Sequence, residues 1–589
     1  MHPGAAAVPP TPSPLPETGG EPPVPTARPA AEAAVAERAT AEATAAGPAA
    51  PGPASADGRL APPSPARLGD VVPAPEHVAP DPAADFTLPA DAAVRVSPDP
   101  AARDVAEQLA ALLRPATGYP LPVADAPLPG DGLVLLLGGP TRTDADPAPA
   151  AALGAEGYRL DVTPDAVRIT AATPAGLLHG VQTLRQLLPP AVESTTPVDG
   201  RWAVPGGTVV DRPRFPYRGA MLDVARHFFG VADVLRVIDH LSRYKLNHLH
   251  LHLTDDQGWR IAVDSRPRLA TVGGATQVGG GPGGWYTASD YRRIVSYAAR
   301  RHITVVPEID LPGHTNAVLT AHPELAPGGV APPPYTGIEV GFSYLDPADE
   351  RVYALAADVL GEVAALTPGP WLHIGGDEAL NLPADAYARF VERVQEIVAG
   401  TGKTVVGWHQ IAPAAHLDGR VLQWWGAPAE DPAVVAEAVR RGARLILSPA
   451  DRAYLDMRYT PETPIGHDWA GMIEVARAYD WDPGAHLAGV PADAVLGVEA
   501  PLWTEWVTSL AEVEFMLFPR LPALAELAWS PRRTHDWADF RERLAGHGPR
   551  WSAAGIGFHP SPEVPWPAAR AGGERRPARP VPTQPDPVR

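Results

Sequence analysis

An apolar run, Trp371-Leu372-His373-Ile374, stops at Gly375-Gly376 and presents two adjacent carboxylates, Asp377 and Glu378. Paired glycines permit a turn that residues carrying a Cβ would block. Neighbouring acids held in a cleft repel one another and lose water, and both effects raise a carboxyl pKa. A proton retained near neutral pH is what a side chain needs to protonate a departing oxygen. The same octet also fits a plain strand-to-helix turn, its acids favoured by the dipole of a following helix. The surrounding chain favours the first reading.

The elements that position these acids belong to an α/β pattern. From Pro216 onward, strand and helix signals alternate without interruption. Strands are expected over 219–224, 247–253, 303–309, 371–375, 404–409, 421–425, 443–448 and 495–503, with helices such as 231–245, 288–301 and 349–366 between most of them. Eight strands in this order predict a (β/α)8 TIM barrel with enlarged loops, occupying residues 213–566. A helix over 410–420 has poor sequence support. A doubly wound open sheet is the alternative, but no Gly-rich dinucleotide turn accompanies it.

Ahead of the barrel, residues 68–212 read as a small α+β domain. Leu133-Val134-Leu135-Leu136-Leu137 has the look of a buried strand, and the segments 158–162 and 166–170 alternate as a hairpin around Thr163-Pro164-Asp165. Helices are expected over 101–113 and 174–188. Residues 1–67 are Ala/Pro-rich and 567–589 Pro/Arg-rich. Both are expected to be disordered because they offer too little apolar surface to offset chain entropy, apart from a short helix around Ala31 to Ala45.

Catalytic groups of a TIM barrel gather at the C-terminal ends of its strands. In chain order those ends carry Asp223 with Arg226-His227, then Asp255-Asp256, then Glu308, Asp310 and His314, then Asp377-Glu378. Trp408-His409, Trp424-Trp425, Tyr454 with Asp456, and Trp503 with Glu505 follow. Aromatic side chains so regularly placed would wall a sugar ring, whose C–H face is apolar. His248, His250 and His252 share one face of a strand. A His-x-His there could hold zinc, or the histidines could pair with polar groups of the inner layer. No carboxylate bridge or second His pair downstream supports the metal.

Composition narrows the classes further. The formal charge is -20 with no Lys/Arg stripe, which argues against a nucleic-acid partner. With no cysteine, disulfides, thiolate metal sites and a Cys nucleophile are excluded. No run approaches the ~18–20 apolar residues of a membrane helix, so no membrane partner is expected. The start, Met1-His2-Pro3-Gly4, shows no basic region followed by an apolar one, which favours a cytoplasmic place over secretion.

Five blocks taken together resemble the β-N-acetylhexosaminidases of glycoside hydrolase family twenty, actinobacterial type. They are Met221 to Phe229, His248 to Arg260, Pro307 to Asn316, His373 to Glu378, and Leu502 to Glu505. The resemblance covers about residues 68 to 565. It implies a retaining exo-enzyme that removes terminal β-linked N-acetylglucosamine, or N-acetylgalactosamine, without a cofactor or metal. The resemblance further implies an exception to the two-carboxylate rule of retaining glycosidases: the substrate's own 2-acetamido oxygen attacks C1 and forms an oxazolinium intermediate. By the same resemblance, Glu378 is acid and then base, Asp377 holds the acetamido N–H, and Tyr454 orients its carbonyl. Trp408, Trp425 and Trp503 enclose the acetamido methyl and stack on the ring. His314 with Asp255 sets the protonation of Glu378. Arg226 and Glu505 bind the C3 and C4 hydroxyls, and Asp456 the C4 or C6 hydroxyl. Some bacterial members carry a disulfide near the active-site loops, which this chain lacks. Two other functions compete: a metal-dependent barrel hydrolase built on His248 and His250, and a carbohydrate-binding protein on an enzyme scaffold, which would need a broken acid pair.

Overall fold

The computed structural model describes residues 67–125, 131–138, 150–415, 417–426 and 430–567. The leader, the helix expected around Ala31 to Ala45 and the Arg-rich tail lie outside the described residues.

Eight parallel strands close into a barrel. In order they are Tyr217–Asp223, His248–His252, Thr304–Glu308, Trp371–His373, Thr404–Trp408, Val421–Trp424, Arg444–Leu447 and Val495–Leu502. Closure comes from the first strand pairing with the last, Gly219 opposite Glu499 and Leu222 opposite Leu502. A strand covered on both faces can run almost continuously apolar, as in Thr404-Val405-Val406-Gly407-Trp408, whereas His248-Leu249-His250-Leu251-His252 alternates. The expected strands all exist; the first begins two residues earlier than expected and ends one earlier, and the other seven are each shorter by a residue or more.

Helices Val231–Arg243, Ala288–Ala299, Glu350–Leu366 and Ala384–Gly400 pack outside the barrel. Their starts are set locally. Thr287 and Asp290 form a reciprocal capping box, and Asp349 accepts the N–H of Arg351. Among the described residues of 410–420 there is no α-helix; the 3-10 turn His409–Ile411 begins the segment instead. Arg420 is buried against that loop, its guanidinium donating to the carbonyls of Ile411, Ala412 and Ala414. The side chain thus satisfies backbone groups that a helix would have satisfied internally.

The barrel interior departs from the aliphatic layers usual in this architecture. His250, Glu308, His373, Gln423 and Glu499 are all buried there. A core so polar is tolerable only if its groups are paired, and it lies directly beneath the strand ends that carry the acids.

The N-terminal domain is a seven-stranded mixed sheet with helices Pro100–Thr117 and Pro174–Leu187 packed against it. It joins the barrel through buried polar anchors. Lys245 donates to Asp211 at 2.9 Å, as does the indole of Trp529, and Arg218 meets Glu156 at 2.6 Å.

Candidate active site

Strand Trp371–His373 ends just before the acids, and the chain then turns through Gly375 at φ 65° and Gly376 at φ 100°. A Cβ on Gly375 would sit 1.7 Å from Asp310 Oδ1, and the N–H of Gly376 donates to that same oxygen at 3.0 Å. Asp310 therefore fixes the turn and the glycines admit it. The next helix begins only at Ala384, so its dipole does not account for the acids. Glu378 itself takes a left-handed backbone, φ 46°, uncommon for a residue with a side chain.

His314 stands within ion-pair distance of both acids. Its Nε2 lies 3.7 Å from Asp377 Oδ2 and 3.5 Å from Glu378 Oε2, while its Nδ1 donates to Asp255 Oδ1 at 3.2 Å. Burial disfavours the imidazolium, yet Asp255 and then Asp377 outweigh it and raise the His314 pKa well above its ordinary value. Burial also raises the Asp377 carboxyl, which His314 pulls back and Glu378 pushes further up. Asp255 is itself clamped. Its Oδ2 meets Arg226 Nη2 at 2.8 Å and His252 Nε2 at 3.0 Å, and against the pull of burial Arg226 and His314 hold its carboxyl well below the usual range.

The chain of pairs continues downward. His252 donates to Asp255 and to Glu308 through its two nitrogens, which makes it a buried imidazolium. Glu308 also faces His250 at 3.1 Å and His373 at 3.0 Å. His250 donates to Glu499 at 2.8 Å, and burial's downward pull on its pKa is overcome by Glu499 and Glu308, giving about 9. His248 stands apart: its ring stacks between Tyr217 and Trp371, and its Nδ1 pairs with Asn247. The zinc pair considered for His248 and His250 is thus not brought together. Among the described residues, His250, Glu308 and His373 do approach closely enough to hold a cation, but Glu308 and Glu499 already serve these histidines as partners.

Opposite the acids stands an aromatic enclosure. Trp408 is buried 5.7 Å from Trp503, and Tyr454 lies 6.3 Å from Trp503 and 6.5 Å from Trp425. Trp425 is held by its indole N–H, which donates to Gln410. Arg226 lies over the face of Trp503 at 4.8 Å. Asp456 keeps both carboxylate oxygens buried without a hydrogen bond, and the buried Oε2 of Glu505 has only His467 Nε2 beside it, at 3.4 Å. The result is a slot with aromatic walls that carries two acids and buried carboxylate acceptors.

That slot can now be set beside known proteins. The description of the glycosyl hydrolase family 20 catalytic domain matches residues 215–532. This chain belongs to glycosyl hydrolase family 20. The family's domain 2 matches residues 69–212. Over 414 residues the chain is 47% identical to the beta-N-acetylhexosaminidase of Cellulomonas fimi, covering 70% of this chain and 82% of that one. The Streptomyces plicatus N-acetyl-beta-hexosaminidase in complex with thio-NAglucal superposes with TM-score 0.82 at 56% identity, covering 86% of this chain and 99% of that one. A variant of the S. plicatus enzyme in complex with its product GlcNAc is 55% identical, with the same coverage and TM-score. The family-20 chain is accordingly a glycoside hydrolase of the β-hexosaminidase class, and the carbohydrate-binding alternative loses its ground.

The eleven residues assigned from the family-20 resemblance, four of them outside its five sequence blocks, are linked by these contacts into one cluster. Arg226 has a fuller set of protein partners than a hydroxyl-binding role alone suggests, since Asp223 and Asp255 both pair with it. Asp223 earns its strand-end place by caging the turn: it accepts the N–H groups of Ala225, Arg226 and Thr504. Two residues escaped the sequence reading. Asp310 was visible as a strand-end acid, but its contact with the glycine turn was not. Trp469 sits on a long loop without periodicity, and only the fold brings it within 6.1 Å of Trp425 and 5.9 Å of Tyr454.

Proposed function

We propose that the chain is a retaining exo-β-N-acetylhexosaminidase working by substrate-assisted catalysis. The observation that carries this reading is that Asp377 and Glu378 leave one turn and reach the same imidazole nitrogen, His314 Nε2. Two acids so placed stand on one side of the pocket, whereas a double displacement by protein carboxylates needs them on opposite faces of the scissile bond. The attacking oxygen then has to come from the substrate, and the 2-acetamido group supplies it.

In this mechanism Glu378, the more exposed acid of the two, gives its proton to the glycosidic oxygen. The acetamido oxygen closes on C1, the C1–O bond breaks, and positive charge spreads over the new oxazolinium ring. Asp377 accepts the acetamido N–H and balances that charge. Its orphaned Oδ1 suits the task. Tyr454 holds the acetamido carbonyl, and burial, Asp456 and Asp377 raise its phenol pKa, so it stays a donor. Trp408, Trp425 and Trp503 exclude water from the acetamido group. Glu378 then takes a proton from water, which attacks C1 and restores the acetamido group with the starting anomeric configuration. His314, charged by Asp255, orients both acids. The buried carboxylate oxygens of Asp456 and Glu505 suit the hydroxyls of a terminal sugar, which supports exo-action. The GlcNAc held by the S. plicatus variant supports N-acetylglucosamine as the sugar.

The test compares initial rates on an aryl β-N-acetylglucosaminide and the matching aryl β-glucoside. Cleavage of the acetamido sugar alone is expected. Comparable rates on both would place the nucleophile in the protein and end this mechanism.

A further inference from the structure

The slot contains a group that the mechanism does not use. His467 projects from the loop between Asp456 and Trp469, and its side chain is only about one-fifth exposed. Its Nε2 lies 3.4 Å from Glu505 Oε2, and its ring stands edge-on to Trp506 at 6.2 Å. The backbone fixes this position from both sides. The N–H of His467 donates to the Asp456 carbonyl at 2.8 Å, and its own carbonyl accepts the N–H of Arg458 at 2.7 Å. Met457 and His467 are further joined by an isolated bridge. The loop therefore returns on itself so that His467 arrives beside the carboxylates of Asp456 and Glu505.

Those carboxylates are unusual for a protein interior. Both oxygens of Asp456 and Oε2 of Glu505 are buried without a hydrogen-bond partner. An unpaired buried acceptor is costly, so such atoms await a donor from a ligand. Two carboxylates facing one cavity would also repel one another. The charges acting on His467 are Glu505 from the eighth strand's end, Asp456 from the seventh's and Arg226 from the first's. An imidazolium between two acids offsets their repulsion and leaves their free lone pairs for sugar hydroxyls.

We propose that His467 is a substrate-binding residue that fixes Asp456 and Glu505 as acceptors for the hydroxyls on the far edge of the terminal sugar, O4 and O6. This rests on the reading of the slot as an exo-hexosaminidase site. The groups that act on His467 are Glu505, Asp456 and Arg226 and do not include Asp377 or Glu378, so it acts on sugar capture and leaves the chemical step alone. Burial lowers the pKa of His467, but Glu505 and then Asp456 overcome it and raise it above its ordinary value, which favours the imidazolium. Burial raises the Asp456 carboxyl to about 7 even with His467 lowering it, so its acceptor strength depends directly on that imidazolium. Capture should accordingly weaken on the alkaline side, where His467 loses its proton.

The experiment measures kcat and KM for an aryl β-N-acetylglucosaminide across about pH 5 to 9 in the full chain and in His467→Gln. KM in the variant is expected to rise about tenfold, the scale of a lost hydrogen bond to a charged group, with kcat within about twofold. The alkaline rise of KM in the parent should vanish in the variant. Calorimetric binding of N-acetylglucosamine to the parent, weakening over the same range, checks this without any substitution. A 6-deoxy analogue should lose more affinity for the parent than for His467→Gln. An unchanged KM, an alkaline limb that survives in the variant, or a fall confined to kcat would each overturn the assignment while leaving hexosaminidase activity intact. A parent that fails to cleave the acetamido sugar would strike the mechanism itself.

Discussion

Asp377 and Glu378 owe their chemistry to one imidazole, and that imidazole owes its charge to Asp255. The two acids themselves are the first point of test. Glu378→Gln and Asp377→Asn should each lower kcat by about 10²- to 10⁴-fold on a substrate with a poor leaving group, with the circular dichroism spectrum unchanged. For an activated aryl leaving group the loss in Glu378→Gln should shrink, because that oxygen leaves without a proton. The sign of the Asp255 effect follows from its place. It is the largest upward influence on the His314 pKa, acting against burial. Removing its charge in Asp255→Asn therefore lets His314 lose its proton at lower pH. The kcat profile of this variant should gain an alkaline limb that the parent lacks over the same range, with activity closest to parental at the acid end. A profile of unaltered shape would remove His314 protonation from the mechanism.

At the scale of the element, the acid turn depends on contacts that lie far apart in sequence. Gly375 is needed twice over, for its left-handed φ and because its Cα hydrogen packs against Asp310. Gly402, at φ 79°, has open space around it. Gly375→Ala should cost about 3 kcal/mol or more, combining backbone strain with displacement of Asp310, whereas Gly402→Ala should cost only about 1–2 kcal/mol. Urea unfolding separates the two. Equal losses would mean that the contact with Asp310 relaxes without cost. The barrel strands were legible because apolar runs of four to eight residues recur between helical patterns. The 409–420 loop was not, because the carbonyl-binding role of Arg420 carries no periodic signal.

Across the whole molecule, the N-terminal domain and barrel share one buried polar seam. Asp211 is fully buried, accepting from Lys245, Tyr158 and Trp529, and Lys245 is equally buried. Asp211→Ala would leave that ammonium without a counter-charge, an imbalance that costs about 3–5 kcal/mol when a buried pair is broken from one side. Thermal unfolding should show a clear drop in midpoint, and the paired change Asp211→Ala with Lys245→Met should recover part of it. A double variant no better than the single would show that packing, rather than charge, holds the seam.

The sequence by itself determined the strand order, the barrel, and the strand ends at which every assigned residue stands, because hydrophobic periodicity and glycine placement act over a few residues. It also marked the acid pair, whose adjacency is a covalent fact. Only the tertiary structure decided the partners. Asp255 and His314 are 59 residues apart, His250 and Glu499 249 apart, yet each pair meets in the barrel. The strand histidines could have held a metal or a carboxylate until closure of the barrel brought Glu308 and Glu499 against them. Charge states and pockets arise from groups that meet across the fold, and the linear order of residues does not encode those distances locally.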